Sequence, residues 1–102
     1  MLRGKQDILN VLEKNQPRLR ALGIKKIGVF GSFVRAEQRP DSDLDLLIEF
    51  ETGKKTFDNF IELSFFLESI LQHRIELVTL ESLSPYLGPY ILREVEYAAF
   101  SA

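Results

Sequence analysis

Apolar residues recur three and four apart in two stretches of the chain and gather into short runs in three others. This change of period predicts helices separated by strands. Over residues 5–22, Ile8, Leu9, Val11, Leu12, Leu19 and Leu22 mark a helix. Pro17 either divides it or opens a second short helix capped by Asn15 or Gln16, because an internal proline costs a hydrogen bond. Gly23 is a suitable terminator. Residues 25–30 read as a first strand, stopped by Gly31-Ser32, and 33–38 as a short helix. Arg39-Pro40-Asp41-Ser42 reads as a turn. Residues 44–50 form a second apolar run, and 51–55 a polar connection. Residues 56–72 carry the clearest helical stripe: Phe57, Phe60, Ile61, Ser64, Leu67 and Leu71, widened by Leu63, Phe66 and Ile70. A third strand is predicted over 74–79, and a helical tail over 81–99 interrupted by Gly88-Pro89. Strands alternating with helices imply a small α/β or α+β layer structure with helices against one sheet.

Composition narrows the class. A chain of 102 residues with 45% hydrophobic content and eight Phe suits one folded domain, 1–102, with a single core. Thirteen basic against fifteen acidic residues leave a net charge of -2, which offers no general attraction to nucleic acid. Lys25-Lys26 and Lys54-Lys55 are local basic doublets. The chain has no cysteine, which excludes a disulfide framework and thiolate metal sites and fits a cytoplasmic setting. No secretory signal is visible. No apolar run approaches the ~20 residues needed to cross a membrane.

The chemistry-bearing residues lie at strand ends. Asp43 and Asp45 are two apart at the start of the second strand, so both point to one face, with Cα atoms about 6.5 Å apart. Two carboxylates on one face repel, and a hard divalent cation such as magnesium removes that cost. The plain alternative is a solvated acidic turn. An EF-hand is excluded because Leu46 stands where the sharp-turn glycine belongs and Thr52 where the bidentate Glu belongs. Gly31 permits close backbone approach, Ser32 could donate to a phosphate oxygen, and Arg35 could add charge-assisted bonds. Taken alone, Gly31-Ser32 is equally a strand-to-helix turn with Ser32 as its cap. Glu76 interrupts an apolar strand. If that strand lies beside the second one, Glu76 joins the aspartates; otherwise it is an outward-facing acid. His73, at a helix end, suits the helix dipole better than catalysis. Tyr86, Tyr90 and Tyr97 suit core packing or a partner interface.

The combined pattern resembles a minimal nucleotidyltransferase of the DNA-polymerase-β-like superfamily, the antitoxin class encoded beside HEPN-domain toxins. Its signature is Gly-Ser, ten residues, then Asp-x-Asp. Here Gly31-Ser32 is followed by Phe33 through Ser42 and then by Asp43-Leu44-Asp45. Ile27-Gly28-Val29-Phe30 precedes the signature, Leu46-Leu47-Ile48-Glu49-Phe50 follows it, and Ile75-Glu76-Leu77-Val78-Thr79 resembles the strand with the third acid. Glu76 replaces the usual Asp, and Ala36 stands where a Gly often follows the Arg.

The resemblance implies an α+β fold with a mixed sheet and helices mainly on one face. It implies ATP held over Gly31, Ser32 and Arg35, with two magnesium ions on Asp43, Asp45 and Glu76. It also implies transfer of AMP to a tyrosine of a cognate HEPN toxin, in a chain that a homo-oligomer would also accommodate. A non-catalytic antitoxin that neutralises by binding alone is a rival reading. A small-molecule nucleotidyltransferase is another, though such enzymes usually need extra substrate-binding structure.

Overall fold

The computed structural model describes residues 4–100. Helix α1 (Lys5–Lys14) and helix α2 (Gln16–Ala21) precede strand β1 (Ile24–Phe30). Pro17 thus opens a second helix rather than kinking one. Asn15 lies between the two, and its amide donates to the Val11 carbonyl (2.8 Å), finishing α1 rather than capping α2. A single helical turn, α3 (Ser32–Arg35), leads to strand β2 (Leu44–Phe50). It is shorter than the predicted 33–38 because Ala36 takes a left-handed backbone, φ 58° and ψ 36°. That conformation costs a residue with a Cβ energy that glycine avoids, which accounts for glycine being the usual occupant.

Helix α4 (Phe57–Leu71) is capped by Thr56, whose Oγ1 accepts from the Asn59 amide at 3.1 Å. It connects β2 to strand β3 (Ile75–Thr79). Then follow a 3-10 turn (Leu80–Ser82), helix α5 (Gly88–Glu94) and the two-residue strand β4 (Glu96–Tyr97). The tail is therefore not one interrupted helix. Gly88-Pro89 begins α5, with proline in its tolerated first-turn position, and the chain then returns to the sheet.

The sheet order is β3-β2-β1-β4. β1 runs antiparallel to both β2 and β4, while β2 and β3 are parallel. A parallel pair needs a long crossover, and α4 provides it. The fold is α+β with a mixed sheet, as expected.

One sheet face packs on the helices. Leu44, Leu46, Ile48 and Phe50 point there with Ile27 and Val29, against Ile8, Leu12, Leu19, Leu63, Leu67 and Leu71. Ile24 joins them because a bulge places two residues of β1 against one of β2 between Ile24 and Lys26, turning Lys25 and Lys26 to solvent. Burying each such aliphatic side chain is worth about 2 kcal/mol. Helix α4 buries Leu63, Leu67 and Leu71, with Phe60, Phe66 and Ile70 against the core. Phe57 and Ile61, predicted for that stripe, lie on a second, solvent-facing apolar face with Phe65. Among the described residues no helix is long and apolar enough to cross a membrane.

Candidate active site

The second sheet face carries the acids. Alternation along β2 sends Leu44 and Leu46 into the core and Asp45 to the opposite side. Parallel register places Asp45 opposite Glu76 on β3, and antiparallel register places it opposite Phe30 on β1. The strand adjacency on which the Glu76 expectation depended is therefore present. Leu83, Leu87 and Ile91 from the C-terminal segment face this side, and with Phe30, Asp45, Glu76 and Val78 they line an open cleft of about 300 Å³.

Asp45 is half-buried, and its carboxyl is pushed up from the ordinary 3.8 to about 6. Burial is the main cause, followed by a hydrogen bond shared with Glu76 and the negative charges of Glu76 and Asp43; Arg35 opposes the shift. Asp45 thus feels all three of these side chains electrostatically. Asp43 lies just before β2 and pairs with Arg74 (Nε to Oδ1, 3.2 Å), whose Nη2 also donates to the Asp41 carbonyl. Among the described residues no three metal-binding side chains form a ready-made cage. The donor set nevertheless suits a hard cation: repulsion between Asp45 and Glu76, relieved by a proton, is relieved equally by a divalent ion with oxygen ligands. The Asp43–Arg74 pair is largely exposed and engages Oδ1 of the carboxylate.

Gly31 closes the site from β1. Its φ of 80° and ψ of -150° lie outside the range of ordinary L residues, and a Cβ there would collide with the Asp45 carboxylate. Glycine at this position is thus required by conformation and by space. Ser32 follows as the first residue of α3. The first amides of any helix lack intrahelical acceptors, but α3 is only one turn long, so its dipole contributes little. Arg35, one turn on, donates from Nε to Glu37 (2.9 Å) and from Nη1 to Glu94 (2.6 Å). These bonds, first to Glu37 and then to Glu94, raise its pKa above the ordinary arginine value.

One neighbour, Glu94, was not anticipated, and His73 makes a contact that its position in the sequence did not show. Glu94 also accepts from the Gly31 amide at 2.7 Å, across 63 residues of chain that no local pattern bridges. His73, beyond the end of α4, bonds the Ser42 carbonyl through Nε2 at 2.6 Å and packs edge-to-face with Phe33. A carbonyl only accepts, so Nε2 carries the proton, and His73 ties down the turn before Asp43 from the C-terminal end of α4. Tyr86 and Tyr90 are largely exposed and not core residues. A cavity of about 880 Å³ lies elsewhere, between α1, residues 38–40 and the end of α4, and is lined by none of Asp43, Asp45 and Glu76.

A small α+β sheet with Gly-Ser at the end of one strand and acids on the next two defines a nucleotidyltransferase. Residues 6–98 match the nucleotidyltransferase domain family, and the chain belongs to it. It is 41% identical over 93 residues to the protein adenylyltransferase MntA of Thermococcus cleftensis, covering 90% of this chain and 93% of that protein. A solved structure described as a minimal nucleotidyltransferase is 34% identical, with a TM-score of 0.78 over 92% of this chain and 95% of that one. The fold is shared as well with the antitoxin in the complex of the tri-AMPylated Shewanella oneidensis HEPN toxin with MNT antitoxin. The TM-score there is 0.63 at 22% identity, over 95% of this chain and 73% of that chain.

Proposed function

We propose that this chain transfers AMP from ATP, with magnesium, to a tyrosine hydroxyl of a cognate HEPN-family toxin and thereby neutralises it as an antitoxin. The observation that carries the reading is Asp45 held between Gly31 and its register partner Glu76. The protein adenylyltransferase relative and the toxin complex of similar fold support the choice of AMP and acceptor.

Each residue then has a task. The bare Gly31 backbone lets the triphosphate approach β1, and the Ser32 hydroxyl donates to it. Arg35 uses two of its five N–H donors on Glu37 and Glu94 and keeps the rest for phosphate oxygens. Asp43, Asp45 and Glu76 would hold the magnesium ions, which when bound polarise the α-phosphate and neutralise charge on the leaving group. The tyrosine oxygen attacks the α-phosphorus as its proton passes to the Glu76 carboxylate. The bond from the α-phosphorus to the β-phosphate oxygen breaks, and pyrophosphate departs. The open, shallow cleft leaves the acceptor side to be completed by the toxin.

The test is label transfer from α-labelled ATP to purified toxin. Asp43→Asn is expected to slow transfer by about 100-fold, the scale of losing one metal-held charge interaction. Undiminished transfer would remove Asp43 from the mechanism. An Asp43/Asp45 double variant that still neutralises the toxin would favour neutralisation by binding alone.

A further inference from the structure

Glu94 is the last residue of α5, and the transfer chemistry above gives it no role. Its side chain is only 20% exposed, yet both carboxylate oxygens are engaged. Oε2 accepts from the Gly31 amide at 2.7 Å, and Oε1 from Arg35 Nη1 at 2.6 Å. Gly31 is the N-cap of α3 and Arg35 its last residue. One carboxylate therefore ties both ends of the turn over which the triphosphate would lie.

Glu94 is itself held from behind. The next residue, Val95, turns extended, and β4 pairs with Gly28 and Val29 of β1. The Ala98 amide donates to the Ile27 carbonyl at 2.9 Å. Lys5 of α1 bonds Glu96 at 2.5 Å. Gly28 allows β4 to lie this close, since a Cβ there would stand 2.7 Å from Val95 Cγ2.

We propose that Glu94 is a positioning residue for nucleotide binding: it orients the Gly31 peptide beside Asp45 and aims the Arg35 guanidinium at the triphosphate, without touching substrate. The proposal rests on the nucleotide-transfer reading above. A competing role, in which Glu94 blocks Arg35 until ATP displaces it, fits the geometry less well. Displacement would strip a largely buried carboxylate of its charge-assisted partner and leave it only the Gly31 amide, an expensive outcome. Arg35 has donors to spare and need not release Glu94 to bind phosphate.

The experiment is calorimetric titration of the full chain with magnesium and a non-hydrolysable ATP analogue, which needs no acceptor and so stands even if the toxin assignment fails. Glu94→Gln keeps an acceptor for Gly31 and loses the charge on Arg35. It is expected to weaken binding roughly tenfold, the scale of one charge-assisted hydrogen bond. Glu94→Ala should weaken it further; if that variant does not fold, Glu94→Gln carries the test. In an Arg35→Ala background Glu94→Gln should change binding less than twofold, because the partner is gone, whereas a general loss of stability would persist. Binding by Glu94→Gln as tight as wild type, or tighter, overturns the proposal, as does an undiminished effect in the Arg35→Ala background. Binding by neither wild type nor variant would sink the nucleotide reading itself.

Discussion

Asp45 shows what a site costs the residue that forms it. Its carboxyl titrates near 6 against an ordinary 3.8, so between those values the folded state binds more protons than the unfolded chain. Stability of the metal-free protein should therefore fall as pH rises from about 4 to about 6 and level off above. Asp45 is only half-buried, and solvent screening reduces the effect to about 1 kcal/mol. Asp45→Asn removes the charge. It should melt higher than wild type at pH 7 and the same at pH 4, in chelator-treated samples. A variant less stable at pH 7 would show that the carboxylate is not under electrostatic strain. Ala36 carries strain of another kind, a left-handed backbone in an exposed residue. Ala36→Gly is expected to stabilise the fold by about 0.5–1 kcal/mol, read as a higher urea midpoint. An unchanged or lower midpoint would mean that the loop relaxes without glycine.

At the scale of elements, the strength of the site lies in where β2 sits. It is central, buried on one face by Leu44, Leu46 and Ile48, and flanked on both sides by strands that bring Gly31 and Glu76 to Asp45. Much of that was legible, because β2 is an apolar run with an acid near its start and the two-residue alternation fixes the face of Asp45; Asp43, expected on the same strand, lies just before it. The parallel register with β3 was conditional, since no local pattern states which strands are neighbours. β4 was not legible at all: two residues carry no period, and they are held as a strand by hydrogen bonds to β1. Glu94 was hidden for the same reason, its meaning lying in a contact 63 residues away. The stripe of α4 misled in part because the helix has a second apolar face at Phe57, Ile61 and Phe65, and periodicity alone cannot say which one the sheet covers. Gly28 tests how far β4 supports the site. A Cβ there would stand 2.9 Å from the Glu96 carbonyl and from the Tyr97 ring. Gly28→Ala should cost about 1–3 kcal/mol through overpacking and also weaken ATP-analogue binding, because shifting β4 moves Glu94. Full affinity with lowered stability would uncouple the two.

The molecule as a whole balances a well-packed helical face against an electrostatically costly one. On the helical side the aliphatic core supplies most of the stability. On the other, Asp45 and Glu76 crowd their negative charges together with Asp43 nearby, and Ala36 adopts a left-handed backbone that costs energy. A ligand that binds only the folded state returns stability by mass action, about 2.7 kcal/mol at a hundred times its dissociation constant. Magnesium with ATP should thus raise the melting temperature of wild type at pH 7.5. The rise should shrink toward pH 5, because protons compete for Asp45. Asp45→Asn should behave oppositely: more stable than wild type without ligand, unmoved by magnesium and ATP, and so less stable than wild type when both are saturating. This crossing separates a binding role for Asp45 from a purely structural one, since a structural residue would shift both melting curves the same way. A ligand-induced rise in Asp45→Asn equal to that of wild type would place the magnesium–ATP site away from Asp45. The cleft between β1, β2 and β3 would then need another occupant.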